Sequence, residues 1–525
     1  MRRFICIIFL FVMAFPVWAQ YPGQIDNTFG DLGRVVFQIP DGSTSVKSLK
    51  KSNDGKIYIC GGLDGSNQSG GYIARYTYDG APDNTFNNGT NYISFKFGGN
   101  QSTELVDMAI LSDGKILVVG SVFVSYNESH PAAARFLPNG TPDPAFGYNG
   151  DIIYYQVNGS AYALALLYNN QFVIAGSVYS SSSTDMMLMG CLSSGSLNTN
   201  FGNNGLQILD LNNGSGDYPG DITFFNSRIL VSSVAHTFSY DAIVLTAFTE
   251  NGQPDATFGT DGKVIFDGLT ILDNFLVGPA TRHTLDATGK IWVASSFIGI
   301  SRTSSMLLRF LPNGLPDLSF GEYGMRLYDF GTDSDSWFAD IGVEVDGKIV
   351  VAGIWKSLGF NKTLFARMLS NGDLDPTVGS NNAGYVLHSM ATGGLLGDYA
   401  YRLMFPWIDK VIFSGWCDTQ NDFAVYLCRI HLGINVGKED LSKTSSPQIH
   451  FNGKYIEISI PNQESIEFIG LYDLNGKLLK GILKGEEILM TGKTSFTLEE
   501  NLRQGMYLLN VVTKTSSYSY KLFIP

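Results

Sequence analysis

Short apolar runs alternate along most of the chain with turns rich in Gly, Asn and Asp. The runs are rich in Val, Ile, Tyr and Phe, and three kinds recur in a fixed order, as in DGKIVVAGI at 346–354, SMLLRFLPNG at 305–314 and PDATFGTDGKVIF at 254–266. This alternation is typical of β-strands joined by tight turns. Since no segment between 21 and 432 keeps a helical period, the pattern predicts an all-β protein.

The strands belong to a long internal repeat. The motif typified by PDATFGTDGKVIF recurs seven times, at positions 26, 83, 143, 198, 255, 317 and 375, so the period is about 58 residues. Sheets of about four strands, repeated seven times, can close into a seven-bladed β-propeller. The strand Gly33 to Gln38 precedes the first repeat body and no motif strand follows the last, so we expect the N-terminal strand to complete blade 7. An open β-solenoid is the alternative.

The repeated motif itself reads as a structural turn. Asp255 is placed to accept backbone hydrogen bonds and Phe258 to anchor the turn in apolar contact. The fourth copy has Asn198, which accepts the same bonds without a charge, and Lys263 is replaced by other residue types in other copies. We therefore expect no metal or catalytic role for Asp255 or Lys263, and a functional site only where the copies differ.

These motifs resemble the delta-60 repeat family, whose consensus has the form LDxTFGxxG, then DGKIxVAG, then FALARLxxDG. The resemblance covers about 26–432. It departs from the pattern at Asn87, which replaces glycine, at Asn198, which replaces aspartate, and at Val378, which replaces phenylalanine. The resemblance implies a propeller-like β fold, and no established activity accompanies it.

The N-terminus has the features of a secretory signal peptide. Arg2 and Arg3 precede the apolar run from Phe4 to Phe15, and a cleavage site is expected after Ala19. We predict a signal peptide over 1–19, a propeller over 21–432 and no transmembrane segment once the signal is removed.

Charge and cysteine content narrow the choice of partners. The net charge is −13 and no basic stripe is visible, so nucleic acid is not expected as a partner. Cys417 and Cys428 flank a predicted hairpin loop, and they are either bridged or, as we favour, buried free thiols. Cys60 and Cys191 lie far from both in the sequence, and no CxxC pair occurs. We expect a monomer.

The C-terminal part is a separate module. A polar linker is predicted at 433–448, and short strands with an Asn475-Gly476 hairpin turn predict a small Ig-like β-sandwich over 449–525. This segment resembles the type A sorting domain of the type IX secretion system of Bacteroidetes, through LYDLNGKLL at 471–479, LRQGMYLLNVVT at 502–513 and YKLFIP at 520–525. The family's usual PNP opening is replaced by SSPQIHFNG. The resemblance implies recognition by the outer-membrane translocon and delivery to the cell surface or medium.

Motifs that would carry chemistry are scarce. Neither HExxH nor GxSxG occurs, and TGKTSF at 491–496 has Glu487 where a phosphate-binding loop needs glycine. Asp333, Asp335 and Asp340 suggest either a calcium site or, as we favour, a solvated acidic turn. We assign no catalytic, cofactor-binding or metal-binding residue. No metal-ligand spacing relates the six histidines: His130, His236, His283, His388, His431 and His450.

Aromatic residues are the remaining candidates for binding. Tryptophans concentrate in the second half of the repeat region, and for each we favour packing between blades over ligand stacking; they are Trp292, Trp337, Trp355, Trp407 and Trp416. We predict an exported, surface or extracellular scaffold that binds carbohydrate or protein without catalysis. The alternatives are a polysaccharide-acting enzyme with a site in the central channel, and a structural adhesin or matrix component.

Overall fold

The structure is a computed structural model that describes most of the repeat region and the strands of the C-terminal part. The described residues are 21–39, 42–65, 70–99, 102–125, 127–180, 183–211, 216–237, 240–268, 276–278, 281–379, 381–390, 397–407, 409–419 and 422–433, followed by seven strands between 448 and 524. The predicted signal peptide 1–19 and nearly all of the predicted linker, 434–447, lie outside these residues.

Seven antiparallel sheets, or blades, make up the repeat region. From the inner to the outer edge, blade 1 has β2 (Gly42–Thr44) with β3 (Ser48–Lys51), then β4 (Ile57–Gly65), β5 (Gly70–Tyr76) and β6 (Tyr92–Phe95). Blade 2 has β7 (Ser102–Ile110), β8 (Ile116–Ser125), β9 (Glu128–Phe136) and β10 (Asp151–Ile153). Blade 3 has β11 (Gly159–Leu166), β12 (Phe172–Tyr179), β13 (Thr184–Cys191) and β14 (Leu206–Leu209). Two 3-10 turns, Asn87–Gly89 and Tyr168–Asn170, are the helical segments among the described residues.

Blades 4 to 7 follow the same order. Their strands are β15 (Gly216–Phe225), β16 (Arg228–His236), β17 (Asp241–Thr249) and β18 (Lys263–Phe266); β19 (Arg282–Leu285), β20 (Ile291–Ile298), β21 (Thr303–Phe310) and β22 (Met325–Tyr328); β23 (Asp335–Val343), β24 (Ile349–Ser357), β25 (Phe360–Met368) and β26 (Tyr385–His388); β27 (Asp398–Trp407), β28 (Lys410–Thr419), β29 (Asp422–His431) and β1 (Arg34–Phe37).

The ring closes through its N-terminal strand, as predicted. β1 pairs antiparallel with β29, from Arg34 opposite Cys428 to Phe37 opposite Val425, and so forms the outer strand of blade 7. The innermost strands of neighbouring blades contact one another around the ring, and β27 contacts β3 to complete it. The chain is therefore a seven-bladed β-propeller, as the repeat predicted, and β1 covers the outer edge of β29.

Each repeated motif is a turn that also joins two blades. Asp255 Oδ1 accepts hydrogen bonds from the backbone N–H and the hydroxyl of Thr257, as predicted. Gly259 has a φ of 54°, and Asn87 takes 45° at the same position, since asparagine tolerates this region better than most residues. Phe258 is fully buried against Gly314 of the next blade, and burial of such a ring contributes about 1.5–3 kcal/mol.

An ion-pair lock accompanies this turn. In blade 2, Arg135 Nε lies 2.7 Å from Asp143 Oδ2, and Lys115 lies 3.3 Å from the same oxygen. Arg135 also donates to the backbone carbonyl of Ser193 in blade 3 and stacks over Phe146, with 4.8 Å between guanidinium and ring centroid. The lock thus joins strand, turn and neighbouring blade, a role that local turn chemistry alone did not predict.

Two blades depart from the lock in a coordinated way. In blade 3 the three charged positions are all neutral, with Asn198 for the aspartate, Gln171 for the lysine and Gly190 for the arginine, and Asn198 Nδ2 donates to Gln171 Oε1 at 3.2 Å. In blade 4 the arginine position is Ala247 and the lysine position is Arg228. Because the residues at the lysine and arginine positions change together in these two blades, the residues of a lock behave as one unit.

The four cysteines outside the predicted signal peptide are buried and unbridged. Cys417 lies opposite Ala424 and Cys428 lies opposite Phe413 in the β28–β29 hairpin, so the two thiols are several residue pairs apart along the ladder. This register confirms the buried free thiols favoured from the sequence.

Strands in the C-terminal part form two antiparallel sheets. One has the order β30-β31-β34 and the other β33-β32-β35-β36, and β32 pairs with β33 across the predicted Asn475-Gly476 turn. TGKTSF at 491–496 falls largely on β34. The bounds are β30 (Gln448–Phe451), β31 (Tyr455–Ser459), β32 (Ile466–Tyr472), β33 (Leu478–Lys484), β34 (Lys493–Thr497), β35 (Gly505–Thr513) and β36 (Ser517–Ile524). Among the described residues, no helix has the length and apolar character needed to cross a membrane.

Candidate ligand-binding site in the central channel

A β-bulge interrupts the inner strand of five blades at the same place. In each, the pairing with the second strand skips one residue, and the following residue resumes the ladder. The skipped residues are Val106, Tyr162, Gly220, Ala339 and Tyr401. A bulge redirects side chains and is frequent beside binding sites, so the residues that follow the bulge are candidates for the lining of the channel. The skipped Val106 and Tyr401 pack against the apolar clusters between blades.

The glycine that ends the DGKIxVAG motif makes room for the bulge. A Cβ on Gly120 would lie 2.0 Å from the carbonyl oxygen of Glu104, and a Cβ on Gly353 would lie 2.2 Å from that of Trp337. Gly61, Gly176 and Gly415 meet the inner strand in the same way. Blades 4 and 5 have Ser233 and Ser295 there, so the position accepts small residues only.

The residue after the bulge occupies one equivalent position around the ring, which we call the channel ring. Its seven members are Ser48, Asp107, Ala163, Asp221, Arg282, Asp340 and Arg402. Arg282 interacts electrostatically with Asp107, three blades away, and with Asp340, so these side chains converge on a common axis. The repeat copies differ in charge at the channel ring, which has three aspartates, two arginines and two uncharged residues.

The three aspartates of the channel ring also join neighbouring blades. Asp340 Oδ2 accepts a 2.8 Å hydrogen bond from the backbone N–H of Leu403 in blade 7, and Asp107 Oδ2 accepts one from Leu164 in blade 3. Burial raises the pKa of Asp340. For Asp107 burial acts in the same direction, but the charge of Lys50 and the Ser48 hydroxyl outweigh it and lower the pKa. These carboxylates thus have structural partners already.

Blades 5, 7 and 1 supply the cationic side of the channel. The Arg402 guanidinium lies 4.3 Å from the centroid of the Tyr401 ring, and Lys47 Nζ lies 5.7 Å from it. Lys47 also pairs with Glu104 at 2.9 Å, and the Arg282 side chain is only 13% exposed. Burial opposes ionisation of Tyr401, but the charges of Arg402, Lys47 and Arg282 outweigh it and lower its pKa.

Hydrogen-bond donors on this side are available to a ligand. Within the described part of the chain, Arg402 makes one hydrogen bond, from Nη1 to the backbone carbonyl of Tyr401 at 2.9 Å, although a guanidinium carries five N–H donors. The Tyr401 hydroxyl has no hydrogen-bond partner among the described residues. An anionic group between Arg402, Arg282 and Lys47 would find both charge and donors.

Tyrosines line the opposite side of the channel. Tyr162 of blade 3 and Tyr218 of blade 4 are in edge contact, with ring centroids 6.3 Å apart. The hydroxyl of Tyr179 donates to Ser160 at 2.8 Å, and Tyr162 interacts with Tyr179 and with Glu104. Tyr218 is 37% exposed, so this wall presents both aromatic faces and hydroxyl groups.

The acidic residues selected from the sequence are not brought together. Asp335 begins β23 and its Oδ1 accepts the backbone N–H of Thr303, whereas Asp340 lies five residues further along the same strand, in the channel. At about 3.3 Å per residue, the two are roughly 16 Å apart. Asp333 is in a turn, with a φ of 58°. The predicted acidic turn does not include Asp340.

Most of the tryptophans and histidines pack against, or form hydrogen bonds with, other residues of the propeller. Trp292 is 1% exposed and donates to Asp286 at 3.0 Å, which confirms core packing for this ring. Trp355 is half-buried and donates to the backbone carbonyl of Phe330; Trp416 stacks on Tyr399. Trp337 is half-buried in β23, and the side chains of Trp407 and His450 lie outside the described residues. The other five histidines are in strands, and His130, His283 and His388 are buried.

Sequence reasoning missed the channel residues because they come from different repeats. Asp107 and Asp340 each lie six residues before the aspartate of the DGK motif, and aligning the copies on that motif places Arg282 and Ser48 at the same position. This alignment is the feature of the sequence that could have identified the channel ring. What the alignment lacks is the bulge, which places Tyr401 beside Arg402 in the inner strand of blade 7.

Comparison with known proteins agrees with the fold. Three segments, 52–86, 111–146 and 346–377, match the family model described as a domain of unknown function (DUF5122) beta-propeller. No curated protein matches the chain. A solved polysaccharide lyase, Uly1, is similar at 9% identity and a TM-score of 0.47, over 80% of this chain and 94% of that one.

Two further solved structures resemble the chain more weakly. A protein of unknown function from Dyadobacter fermentans has 11% identity and a TM-score of 0.40, over 76% of this chain and 98% of that one. Drosophila semaphorin 1a has 9% identity and a TM-score of 0.40, over 77% and 89%. The three segments that match the DUF5122 beta-propeller model lie in blades 1, 2 and 6 of this seven-bladed propeller.

Proposed function

We propose that this protein is a binding propeller whose central channel holds an acidic saccharide. The observation that carries the proposal is the open guanidinium of Arg402, stacked on the half-buried ring of Tyr401 beside Lys47 and Arg282. Positive charge and N–H donors that make no hydrogen bond within the described residues therefore lie at the same place. The cationic side is the place for a carboxylate or sulfate group, since arginine binds such groups through paired hydrogen bonds.

The tyrosine wall favours a sugar over a simple anion. Tyr218 is exposed and its ring is in edge contact with that of Tyr162, in the blades across the channel from the cations. Binding sites commonly combine apolar rings with a few polar groups that fix the orientation of the ligand. A sugar ring can lie against the tyrosines while its acidic group reaches Arg402, so the two walls serve one ligand.

Binding to a panel of uronic-acid oligosaccharides tests the proposal, with neutral oligosaccharides of the same length as the reference. We expect saturable binding of at least one acidic saccharide and a loss of about tenfold or more in Arg402→Ala, because a charge-assisted hydrogen bond is removed. Arg402→Lys keeps the charge but not the fork of donors, so it recovers only part of the affinity.

The matched control variant is Arg302→Ala. Arg302 pairs with Asp329 at 2.8 Å, outside the channel ring, and its side chain is 46% exposed, so affinity stays at the wild-type value. Failure of every acidic saccharide to bind, or equal binding by Arg402→Ala and wild type, would remove the basis of the proposal.

A polysaccharide-acting enzyme at the same site is the second candidate. The observation that favours it is the lowered pKa of Tyr401, which arises because the charges of Arg402, Lys47 and Arg282 outweigh burial. A phenol of this kind can exchange a proton with a bound substrate near neutral pH more readily than an ordinary tyrosine. Product formation from a saccharide that binds, and its loss in Tyr401→Phe with binding retained, distinguish an enzyme from a scaffold.

We also propose that the propeller is exported to the cell surface or medium by the type IX secretion system. The signal-like residues 1–19 and the sorting-domain motifs in 449–525 support this route. Removal of 449–525 is expected to leave the protein in the periplasm of a Bacteroidetes host, as detected by cell fractionation. Surface delivery of the truncated protein equal to that of the full chain would refute the route, independently of what the channel binds.

A further inference from the structure

Five of the seven locks place two cations on one carboxylate. The lysine of the second strand and the arginine of the third strand both reach the motif aspartate, as in blade 5, where Lys290 lies 3.0 Å and Arg309 2.8 Å from Asp317 Oδ2. The other four pairs are Lys56 with Arg75, Lys115 with Arg135, Lys348 with Arg367 and Lys410 with Arg429.

Blade 4 keeps the carboxylate but has one cation. Arg228, from the lysine position, donates Nε to Asp255 at 2.7 Å, Nη2 to Thr257 and Nη1 to the carbonyl of Pro312 in blade 5. These are the contacts that Arg309 makes in blade 5 from the third strand. One guanidinium has therefore taken over the arginine contacts, and the ammonium contact with the aspartate has no counterpart among the described residues.

A cleft lies beside Arg228 and Asp255. It has a volume of about 310 Å³ and opens between blades 4 and 5. Its apolar walls include Phe225, Leu230, Phe258 and Ile291, and Asp255 with Arg228 forms the polar end. The turn that precedes Arg228 is also tight, with Asn226 and Ser227 at φ values of 51° and 59°. The cleft thus combines an apolar passage with a carboxylate at its end.

We propose that this cleft is a binding site for an alkylammonium ion, either a free primary amine or the side chain of a lysine residue. The ammonium group would occupy, on Asp255, the place that lysine occupies in five other blades, and the alkyl chain would lie along Leu230 and Ile291. Bound this way, the ligand restores two cations per carboxylate. It also buries apolar carbon, which contributes about 0.8 kcal/mol per CH₂ group removed from water.

Calorimetric titration of the full chain with n-butylammonium tests the site, with n-butanol as the neutral probe of similar shape and sodium chloride to match ionic strength. Saturable heat with n-butylammonium and none with n-butanol is the expected result. Asp255→Asn should weaken n-butylammonium binding by about tenfold or more, since a charged acceptor becomes neutral. Asn198 shows that asparagine is accepted at this turn, so the variant should fold.

The sharper variant rebuilds the lock of blade 5 within blade 4. Arg228→Lys combined with Ala247→Arg supplies both cations from the chain itself and should abolish n-butylammonium binding. Absence of saturable binding by the wild type, or unchanged binding by both Asp255→Asn and the rebuilt lock, would overturn the proposal.

A third titration, with Nα-acetyl-lysine methylamide, distinguishes the two sources. Affinity equal to that of n-butylammonium assigns a lysine side chain, and much weaker affinity assigns a free amine; both support the alkylammonium site. Because the cleft is separate from the channel, Asp255→Asn should leave saccharide binding unchanged.

Discussion

Gly415, in the second strand of blade 7, lies directly against Tyr399 in the first: a Cβ atom on Gly415 would lie 2.0 Å from the Tyr399 carbonyl oxygen. The close approach accompanies the bulge at Tyr401, after which Arg402 resumes the ladder. Gly415→Ala is therefore expected to destabilise the fold by about 1–3 kcal/mol, as overpacking does, and to weaken channel binding. Urea unfolding and saccharide binding measure the two effects.

Ser233 provides the comparison for that variant, because it occupies the same register position in blade 4 and already carries a Cβ. Ser233→Ala should change the free energy of unfolding by less than Gly415→Ala and leave binding unchanged. Equal stability of Gly415→Ala and wild type would show that the backbone can move away without cost.

The ionisation of Tyr401 depends on its cationic neighbours. Removing the guanidinium 4.3 Å from the ring in Arg402→Ala is expected to raise the pKa of Tyr401. The measurement is an ultraviolet titration in which subtraction of the Tyr401→Phe curve isolates this one tyrosine. Arg302→Ala, outside the channel ring, should leave the isolated curve where it is, and an unmoved curve in Arg402→Ala would contradict the assigned cause.

The ion-pair lock should contribute most to the free energy of unfolding in the blades where its residues are buried and charged. Arg135→Ala leaves the buried Asp143 with one cation, Lys115 at 3.3 Å, and it removes the bond to Ser193 and the stacking on Phe146. We expect a loss of about 3–5 kcal/mol in the free energy of unfolding. Gln171→Ala, in the neutral lock of blade 3, should cost about 1 kcal/mol. Similar losses in the two variants would mean that charge adds nothing to the lock.

The neutral lock of blade 3 predicts a coupling between two substitutions. Asn198→Asp alone places a carboxylate next to Gln171, with Gly190 at the arginine position, and is expected to destabilise the protein by about 1–3 kcal/mol. Adding Gln171→Lys supplies the cation that blades 1 and 2 have and should recover most of the loss. A double-mutant cycle by urea unfolding gives the coupling directly, and simple additivity would refute it.

Glu344 makes stability depend on pH. This side chain is buried, its Oε2 has no hydrogen-bond partner among the described residues, and burial raises its pKa to about 8 despite Arg367. An acid whose pKa is higher in the folded state binds its proton more tightly there. The free energy of unfolding therefore falls as pH rises from about 4.5 to 8, because the unfolded chain ionises first.

Glu344→Gln should remove this dependence. We expect it to stabilise the protein by roughly 1–3 kcal/mol at pH 8 and to have little effect at pH 4. Urea unfolding at the two pH values provides the measurement, and the exposed Glu322→Gln should show no such difference. A gain of the same size at both pH values would point to packing instead of ionisation.

Strand pattern and repeat spacing predicted the propeller, its blade number and the position of β1, because these depend on local alternation and on chain order. The partners of Asp143 and Asp255 were not predictable in the same way. Arg135 reaches Asp143 from the third strand of its blade, whereas Arg228 reaches Asp255 from the second strand, and only the three-dimensional structure shows that the two make equivalent contacts. Arg282 and Arg402 meet in the channel through ring closure, which no local pattern encodes.

Closure by β1 has a consequence for how the chain reaches its final state. Asp26 and Arg429, which join the two ends of the repeat region, are 403 residues apart in sequence. Contacts of such separation form late, since the intervening chain must be ordered first. The first blade strand to leave the ribosome is therefore among the last to find a partner, and until then β29 presents a free edge. A factor that keeps the propeller open would therefore be expected to bind at the seam between β1 and β29.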